Sequence, residues 1–387
     1  MRIHLCGNVL NWAYQFGGYL RALGHDVRVF VSAQEPIAVY RPEWEQDDAD
    51  TVLPEWVEPV DVRFSRVLVP GREERRFLRQ LADCDVIQTF GEYAVWAWRT
   101  RTPYVVLSYG GDLEILPFAR GSLKEVGLAV LVRRALRGAD ALVYAIPSHR
   151  TLVQQLGIET ARFNPHAVPI DTDRWAPIEE AARRRLRARY PQRLVFFHGA
   201  RQEWTFKDAN DKANDRLFRG FARFVREDRA DDSLLIAVER GRDVERSKAL
   251  VASLGVADRV VWIKELRKAE LITMLRSVDV FFDQFSHGYF GVATLEALAC
   301  GVPTCLRLSL EGTEGIDLPP VFNVSTEDDI VRAMHACRRE DTRAAMRGAS
   351  REWAVARHDW RVVMEWYLEL YRGVPRRRRP LGASACA

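Results

Sequence analysis

Long hydrophobic runs are missing from this 387-residue chain. No window approaches the ~18 consecutive apolar residues that cross a bilayer, and the apolar stretch within Met1–Asn8 is far too short for a signal peptide. Cysteine is scarce as well: six thiols, at positions 6, 84, 300, 305, 337 and 386, show no C-x-x-C pair and no metal-ligand spacing. That usage excludes a disulfide framework and suits thiols in a reducing compartment. An excess of either charge is lacking too. The 57 Lys and Arg stand against 53 Asp and Glu, a net +4, too little for a dedicated nucleic-acid binder. The expected location is cytoplasmic, with no nucleic-acid partner.

Several catalytic signatures are absent. The eight histidines form no H-E-x-x-H or similar cluster, so no zinc site is expected. There is no G-x-S-x-G elbow, no G-x-G-x-x-G after the first strand and no Walker A lysine loop, which argues against a serine hydrolase, a nicotinamide enzyme and a P-loop enzyme. Asp171-Thr172-Asp173 satisfies a D-x-D pattern, but it lies in a proline-rich stretch rather than at the end of a core strand. No metal is expected there.

What the chain does contain is an alternation of short strand-like runs with longer helical ones. Strands are expected at Ile3–Cys6, Val27–Val31, Asp85–Thr89, Tyr104–Ser108 and Ala141–Ala145, with a helix over Ala13–Leu23. The pattern breaks at Pro165–Pro177. It restarts after an Arg-rich helix at 178–189, with strands Leu194–His198, Leu234–Val238, Val260–Ile263 and Val280–Phe282 and helices Asp215–Arg226, Val244–Leu254 and Ala269–Ser277. Such alternation predicts parallel sheets covered on both faces. Two units of similar size suggest an α/β protein of two Rossmann-like domains facing across a cleft, closed by an amphipathic final helix at about Arg361–Tyr371.

Local clusters admit two readings each. Arg183–Arg187 and Arg376–Arg379 read as a solvated helix face and a tail, or as contacts to an anionic membrane surface. Trp96 and Trp98 with Arg99 and Arg101 read as helix packing with extended arginines, or as a patch for sugar or membrane. Leu128–Arg134 reads as a packed helix or a membrane-surface one.

The strongest signal runs from Asp279 to Pro303. A buried strand ends near Asp283, a glycine-bearing loop turns the chain, and a helix runs from about Gly291 to Gly301, where Pro303 bars continuation. Such a loop lies at the C-terminal edge of a parallel sheet, where open α/β sheets bind ligands. The helix N-terminus suits a phosphate. Gly288 and Gly291 allow an anion close to the backbone, and Glu296 can accept hydrogen bonds from ribose hydroxyls. A nucleotide-type ligand and a merely structural loop both fit this pattern.

Phe290-Gly291, Glu296-Ala297 and Cys300-Gly301-Val302-Pro303 resemble the donor-binding motif of the family 4 retaining glycosyltransferases, which have the two-domain GT-B fold. The resemblance implies that Glu296 holds the nucleotide ribose. Gly288, with His287 beside it, stands where the motif has its first Glu, a residue that contacts the donor sugar. His198-Gly199-Ala200-Arg201 resembles the Gly-Arg element of the second domain, and Lys212–Leu217 its Lys partner. By that likeness Arg201 and Lys212 clamp the donor diphosphate and stabilise the charge developing on it. The spacing between them is longer than the family's, which makes Lys207 a competitor for the Lys role. Gly7-Asn8 resembles the loop that faces donor and acceptor. Tyr109-Gly110-Gly111-Asp112 resembles a His-Gly-Ser-Asp element, with Tyr109 in place of the His; Asp112 is the polar residue expected to help place the reacting partners.

The domains implied are an acceptor domain at 1–175, a donor domain at 176–359, a helix at 360–373 crossing back to the first domain, and a basic tail at 374–387. The expected activity is metal-independent, retaining transfer of a hexosyl group from a UDP- or GDP-linked sugar, with no cofactor. The acceptor is a glycan, a lipid-linked molecule or a small molecule, with peripheral contact at the inner membrane face through the Arg-rich segments. The alternatives are a non-catalytic sugar-nucleotide binder and a sugar-nucleotide epimerase on the same fold.

Overall fold

The structure is a computed structural model that describes residues 1–33, 37, 40–46, 52–62, 66–207, 210–228 and 232–375. It divides into two compact units, one formed by 1–167 with the segment from Val363 onward, the other by 168–362. The Arg376–Arg379 run and Cys386 lie outside the described residues.

The first unit is a seven-stranded sheet of β1 (Arg2–Cys6), β2 (Asp26–Ser32), β3 (Val57–Val60), β4 (Val86–Phe90), β5 (Tyr104–Leu107), β6 (Ala141–Tyr144) and β7 (Ala161–Phe163). Their order is β3-β2-β1-β4-β5-β6-β7, and every pair is parallel. The central strands are apolar on both faces because helices cover both; every residue of β4, β5 and β6 is buried. Trp96 is fully buried beneath helix Ala94–Thr100, and Arg99 donates from Nη2 to the Leu68 carbonyl at 3.3 Å. The packing reading of that aromatic–basic patch is the one the fold uses. Ala129 and Val132 are buried in helix Leu123–Arg137, so Leu128–Arg134 is likewise a packed helix.

The second unit is a six-stranded parallel sheet of β8 (Leu194–His198), β9 (Ser233–Val238), β10 (Val260–Ile263), β11 (Val280–Phe282), β12 (Thr304–Leu306) and β13 (Phe322–Asn323), in the order β10-β9-β8-β11-β12-β13. Its core is aromatic. Phe196 meets Phe221, Phe224 and Phe282 edge-on at 6.1, 5.8 and 5.7 Å, the offset geometry that ring quadrupoles favour.

The two Rossmann-like domains are as expected from sequence. The final helix, Trp360–Gly373, begins in the second unit, where the Trp360 amide donates to the Ile170 carbonyl at 3.0 Å. From Val363 on it belongs to the first unit. There Tyr367 donates its hydroxyl to the Ala167 carbonyl at 3.2 Å and Tyr371 to Gln88 Oε1 at 2.8 Å.

One expectation changes. The Arg run is not a uniformly solvated face: in helix Glu180–Arg187, Arg183 and Arg187 both pair at 2.9 Å with buried Asp279, whose carboxylate also accepts the Val195 amide. A buried carboxylate needs such partners, so these two arginines are structural. The D-x-D residues make bonds within the second unit. Asp171 accepts the Asp173 and Arg174 amides at 3.1 and 3.0 Å, Thr172 bonds Asp359, and Asp173 pairs with Arg361.

No helix among the described residues is long and apolar enough to cross a membrane. The described cysteines are all free thiols, four of them buried.

Candidate functional site

In the second unit, the loops after β8 and β11 emerge side by side, because the two strands pair in register from Val280↔Phe196 to Phe282↔His198. The β8 loop carries Arg201, Lys207 and Lys212; the β11 loop carries Asp283, His287, Gly288, Phe290 and Gly291 and leads into helix Val292–Ala299, which carries Glu296.

Lys212 is held by its backbone. Its amide donates to the Glu203 carbonyl at 2.6 Å and its carbonyl accepts the Phe285 amide at 3.0 Å. Its ammonium sits where burial pulls its pKa below the ordinary lysine range; nearby Asp283 opposes that shift and Arg201 adds to it. Arg201 and Lys212 are therefore neighbours in one electrostatic site. Arg201 donates to Asn210 at 3.3 Å. Lys207 is exposed and pairs at 3.2 Å with Asp211, an acid that also acts on Lys212.

Asp283 is the acid at the centre. Burial raises its pKa, while the Thr294 hydroxyl, Lys212 and the Gly291 amide all pull the other way; the hydroxyl donates at 2.5 Å. The Gly291 amide, expected to meet phosphate, is thus taken by a buried carboxylate that must be satisfied. The N–H groups left open are those of the helix's first turn, which have no intrahelical acceptor.

Glu296 is 1% exposed and ion-paired with Lys268, the first residue of helix Lys268–Ser277. The Lys268 ammonium also lies 5.5 Å from the Trp175 ring centroid. Gly288 has φ +72, and a Cβ there would stand 3.0 Å from Ser309 Cβ, so the backbone leaves no easy place for a larger residue. His287 is exposed, its amide donating to Gln284 Oε1 at 2.7 Å. Phe290 stacks on Tyr289 at 4.3 Å and meets Trp353 edge-on at 5.8 Å, which ties the loop to helix Glu340–His358.

The long β8 loop is pinned from the far side by Asp243, which accepts the Trp204 and Thr205 amides at 2.8 and 3.0 Å and the Thr205 hydroxyl at 2.6 Å. These bonds, outweighing its burial, hold its pKa at about 2.

In the first unit, Gly7 and Asp112 lie in the loops after β1 and β5. Gly7 has φ +89, and a Cβ on it would fall 2.6 Å from the Tyr93 ring. Asp112 is fully buried. Its Oδ1 accepts from the Ser108 hydroxyl at 2.9 Å and the Tyr109 and Gly110 amides at 3.1 and 3.0 Å, and burial still raises its pKa. Its Oδ1 thereby shapes the loop, while its Oδ2 is buried without a hydrogen-bond partner among the described residues. Tyr109 is held as a neutral phenol, since burial and then Glu92 push its pKa up. His149, 1% exposed, contacts Glu114 at 2.7 Å.

The second unit thus brings together Arg201, Lys212, Gly291 and the donor loop, with Lys207 exposed and ion-paired to Asp211. Sequence reasoning took Asp283 only as a strand end and missed Lys268; a lone Lys opening a helix carries no local signal.

Two glycosyltransferase families match the chain: "Glycosyl transferase 4-like domain" over residues 13–169 and "Glycosyl transferases group 1" over 208–307. A GDP-mannose-dependent alpha-(1-6)-phosphatidylinositol monomannoside mannosyltransferase of Mycolicibacterium smegmatis is 28% identical over 277 residues, 67% of each chain. Seven further curated relatives align over 34 to 53% of their own length. Among solved structures, a sucrose-phosphate synthase from Thermosynechococcus elongatus superposes with TM-score 0.70 at 15% identity, covering 96% of this chain and 98% of that one. The Anabaena protein Alr3699/HepE in complex with UDP-glucose gives 0.68 at 15% identity, over 96% and 99%.

Proposed function

We propose, from a chain that belongs to the family 4-like glycosyltransferases with the GT-B fold, a retaining enzyme that moves a hexosyl group from a nucleoside diphosphate sugar to an acceptor hydroxyl. The observation that carries this reading is the pair of neighbouring cations, Arg201 and Lys212, beside a helix N-terminus on the donor loop. Departure of a diphosphate concentrates negative charge, and fixed cations stabilise it without a protein acid or a metal ion. Lys212 fits that role better than Lys207, an exposed side chain already ion-paired with Asp211.

The remaining donor roles follow the same logic. Glu296 accepts the ribose hydroxyls, with Lys268 fixing its carboxylate. The first-turn amides of helix Val292–Ala299 meet phosphate. Phe290 and Gly288 shape the sugar's approach, His287 stands at its rim, and Gly7 and the loop built on Asp112 serve the acceptor side. In a same-face displacement the leaving phosphate takes the acceptor proton, so no general base is required of this chain. GDP-linked mannose, used by the mycobacterial relative, and UDP-linked glucose, bound by the Anabaena neighbour, are the donors to try first. Glycan, lipid-linked and small-molecule alcohols are the acceptor panel, tried with and without anionic vesicles.

The test is product analysis with each donor and the acceptor panel, in the presence of a chelator. Glycosylated acceptor with retained anomeric configuration supports the reading. Epimerised sugar from donor alone, or donor binding with no turnover on any acceptor, would replace it with an epimerase or a binding protein. Turnover that stops on chelation would overturn the metal-independent mechanism.

A further inference from the structure

Between Arg201 and Lys212 the chain makes a long excursion, yet both ends of it are tied to one buried polar contact. His198 is the last residue of β8 and Asn214 the first of helix Asn214–Asp228. Both are 0% exposed. Asn214 Nδ2 donates to His198 Nε2 at 2.6 Å, while Asn214 Oδ1 accepts the Glu203 amide at 2.9 Å. On the other side of the ring, His198 Nδ1 meets the Phe282 carbonyl at 3.0 Å. A carbonyl can only accept, so Nδ1 carries the proton and Nε2 is the acceptor. Burial pushes the imidazole pKa down to about 4, which keeps this tautomer neutral at physiological pH.

Packing alone does not ask for these residues. The ring lies 6.2 Å from both Phe218 and Phe285, in an apolar pocket where the pair satisfies the Phe282 carbonyl and the Glu203 amide. What the contact adds is direction. It joins β8, β11, the start of a helix and the middle of the loop. Through Glu203 it reaches Lys212, whose amide bonds the Glu203 carbonyl. Ala213, between Lys212 and Asn214, is held at φ +50, a left-handed conformation that costs a non-glycine residue ~1 kcal/mol or more and persists only where its surroundings impose it.

We propose that His198 and Asn214 are a positioning pair that fixes Arg201 and Lys212 at the spacing a diphosphate requires. This rests on the diphosphate reading above, and the test separates the two. UDP and GDP are titrated calorimetrically into the full chain between pH 5.5 and 8.5. Asn214→Ala should weaken binding on the order of 10-fold, the effect of stranding a buried hydrogen-bonding group. Asn214→Asp sets a carboxylate against the Nε2 lone pair. It should hold diphosphate best at the acid end, where His198 takes a second proton and restores the bond, and lose affinity as pH rises. The parent chain should show no such fall below pH 7.

A merely structural role would lower the melting temperature of both variants and leave diphosphate affinity and its pH profile at parent values, which would overturn the proposal. If Asn214→Ala does not fold, the pH profile of Asn214→Asp decides alone. Lys212→Ala and Arg201→Ala are the controls. If they bind both nucleotides like the parent chain, the diphosphate reading itself has failed; if they lose binding while the Asn214 variants keep it, only the positioning pair has.

Discussion

Two loops of this protein each follow an inner strand of a parallel sheet, and they treat buried charge in opposite ways. The β5 loop of the first unit buries Asp112 and turns three of its own hydrogen-bond donors onto Oδ1, leaving Oδ2 without a hydrogen-bond partner among the described residues. The β8 loop of the second unit carries two cations, Arg201 and Lys212, and leaves Lys212 without an ion pair among the described residues, though Asp283, Asp211 and Glu203 all pull its pKa up. The first arrangement spends charge on holding a backbone shape. The second keeps charge for a visitor. Topology puts both loops at the sheet edge where ligands bind; electrostatics distinguishes scaffold from grip.

The comparison breaks most sharply at the cations. Lys212→Ala and Arg201→Ala should each lower kcat by about 10²–10³-fold, the usual effect of removing a donor to a developing anion, with unchanged melting temperature. Lys207→Ala should stay within about 3-fold of the parent. An equal loss at Lys207 would move the site to the exposed tip of the loop.

Removing the partner of a buried acid comes next. Lys268→Ala takes the ion-pair partner from the buried Glu296 carboxylate, and stability should fall by about 3 kcal/mol in denaturant titration. A change near zero would mean that the pair opens to solvent and that Lys268 does not hold the ribose-binding carboxylate.

At the β5 loop, Asp112→Ala should cost about 2–3 kcal/mol, because three donors lose their acceptor, whereas Asp112→Asn keeps an acceptor oxygen and should cost less. The pH dependence gives the sign. A carboxyl whose pKa is raised in the fold holds its proton more tightly folded than unfolded. Its contribution is therefore present at acid pH and is lost as pH rises from the unfolded carboxylate value through the raised one. Asp112→Asn should flatten that part of the stability profile. A profile unchanged by Asp112→Asn would place the group in water.

The smallest effect is on the alkaline limb. Because burial lowers the Lys212 pKa, its charge is lost at a lower pH than that of an ordinary lysine, and diphosphate affinity should fall early as pH rises. Lys212→Arg should move that fall to higher pH, since a guanidinium stays charged. An identical limb in both proteins would assign the fall to another group.

Much of the fold was legible because the central strands are continuous apolar runs. Leu194–His198, Val260–Ile263 and Val280–Phe282 end where the sequence suggested. β3, β7 and β13 were not anticipated: they are short, with partly exposed residues, and such edges lack the unbroken apolar run. Helix Glu340–His358 was hidden by its charge, since its buried residues include an arginine and a histidine as well as Trp353 and Ala354. The donor loop could be read as a motif because its residues are contiguous. Asp283 as hub, Lys268 beside Glu296, and the His198–Asn214 contact could not, since each depends on residues that only the fold makes neighbours. The role expected of Asp112 moved from substrate to scaffold for a related reason: a loop carboxylate reads the same in sequence whether its acceptors face solvent or its own backbone.

The central claim is that Arg201 and Lys212 grip a diphosphate. Isothermal titration of UDP and GDP into the parent chain and Lys212→Ala, in a chelating buffer, tests it most directly. The account expects one of the two nucleotides to bind the parent with one-to-one stoichiometry, and Lys212→Ala to bind it at least about 10-fold more weakly. Equal affinity in the two proteins, or no binding of either nucleotide to the parent, would contradict it.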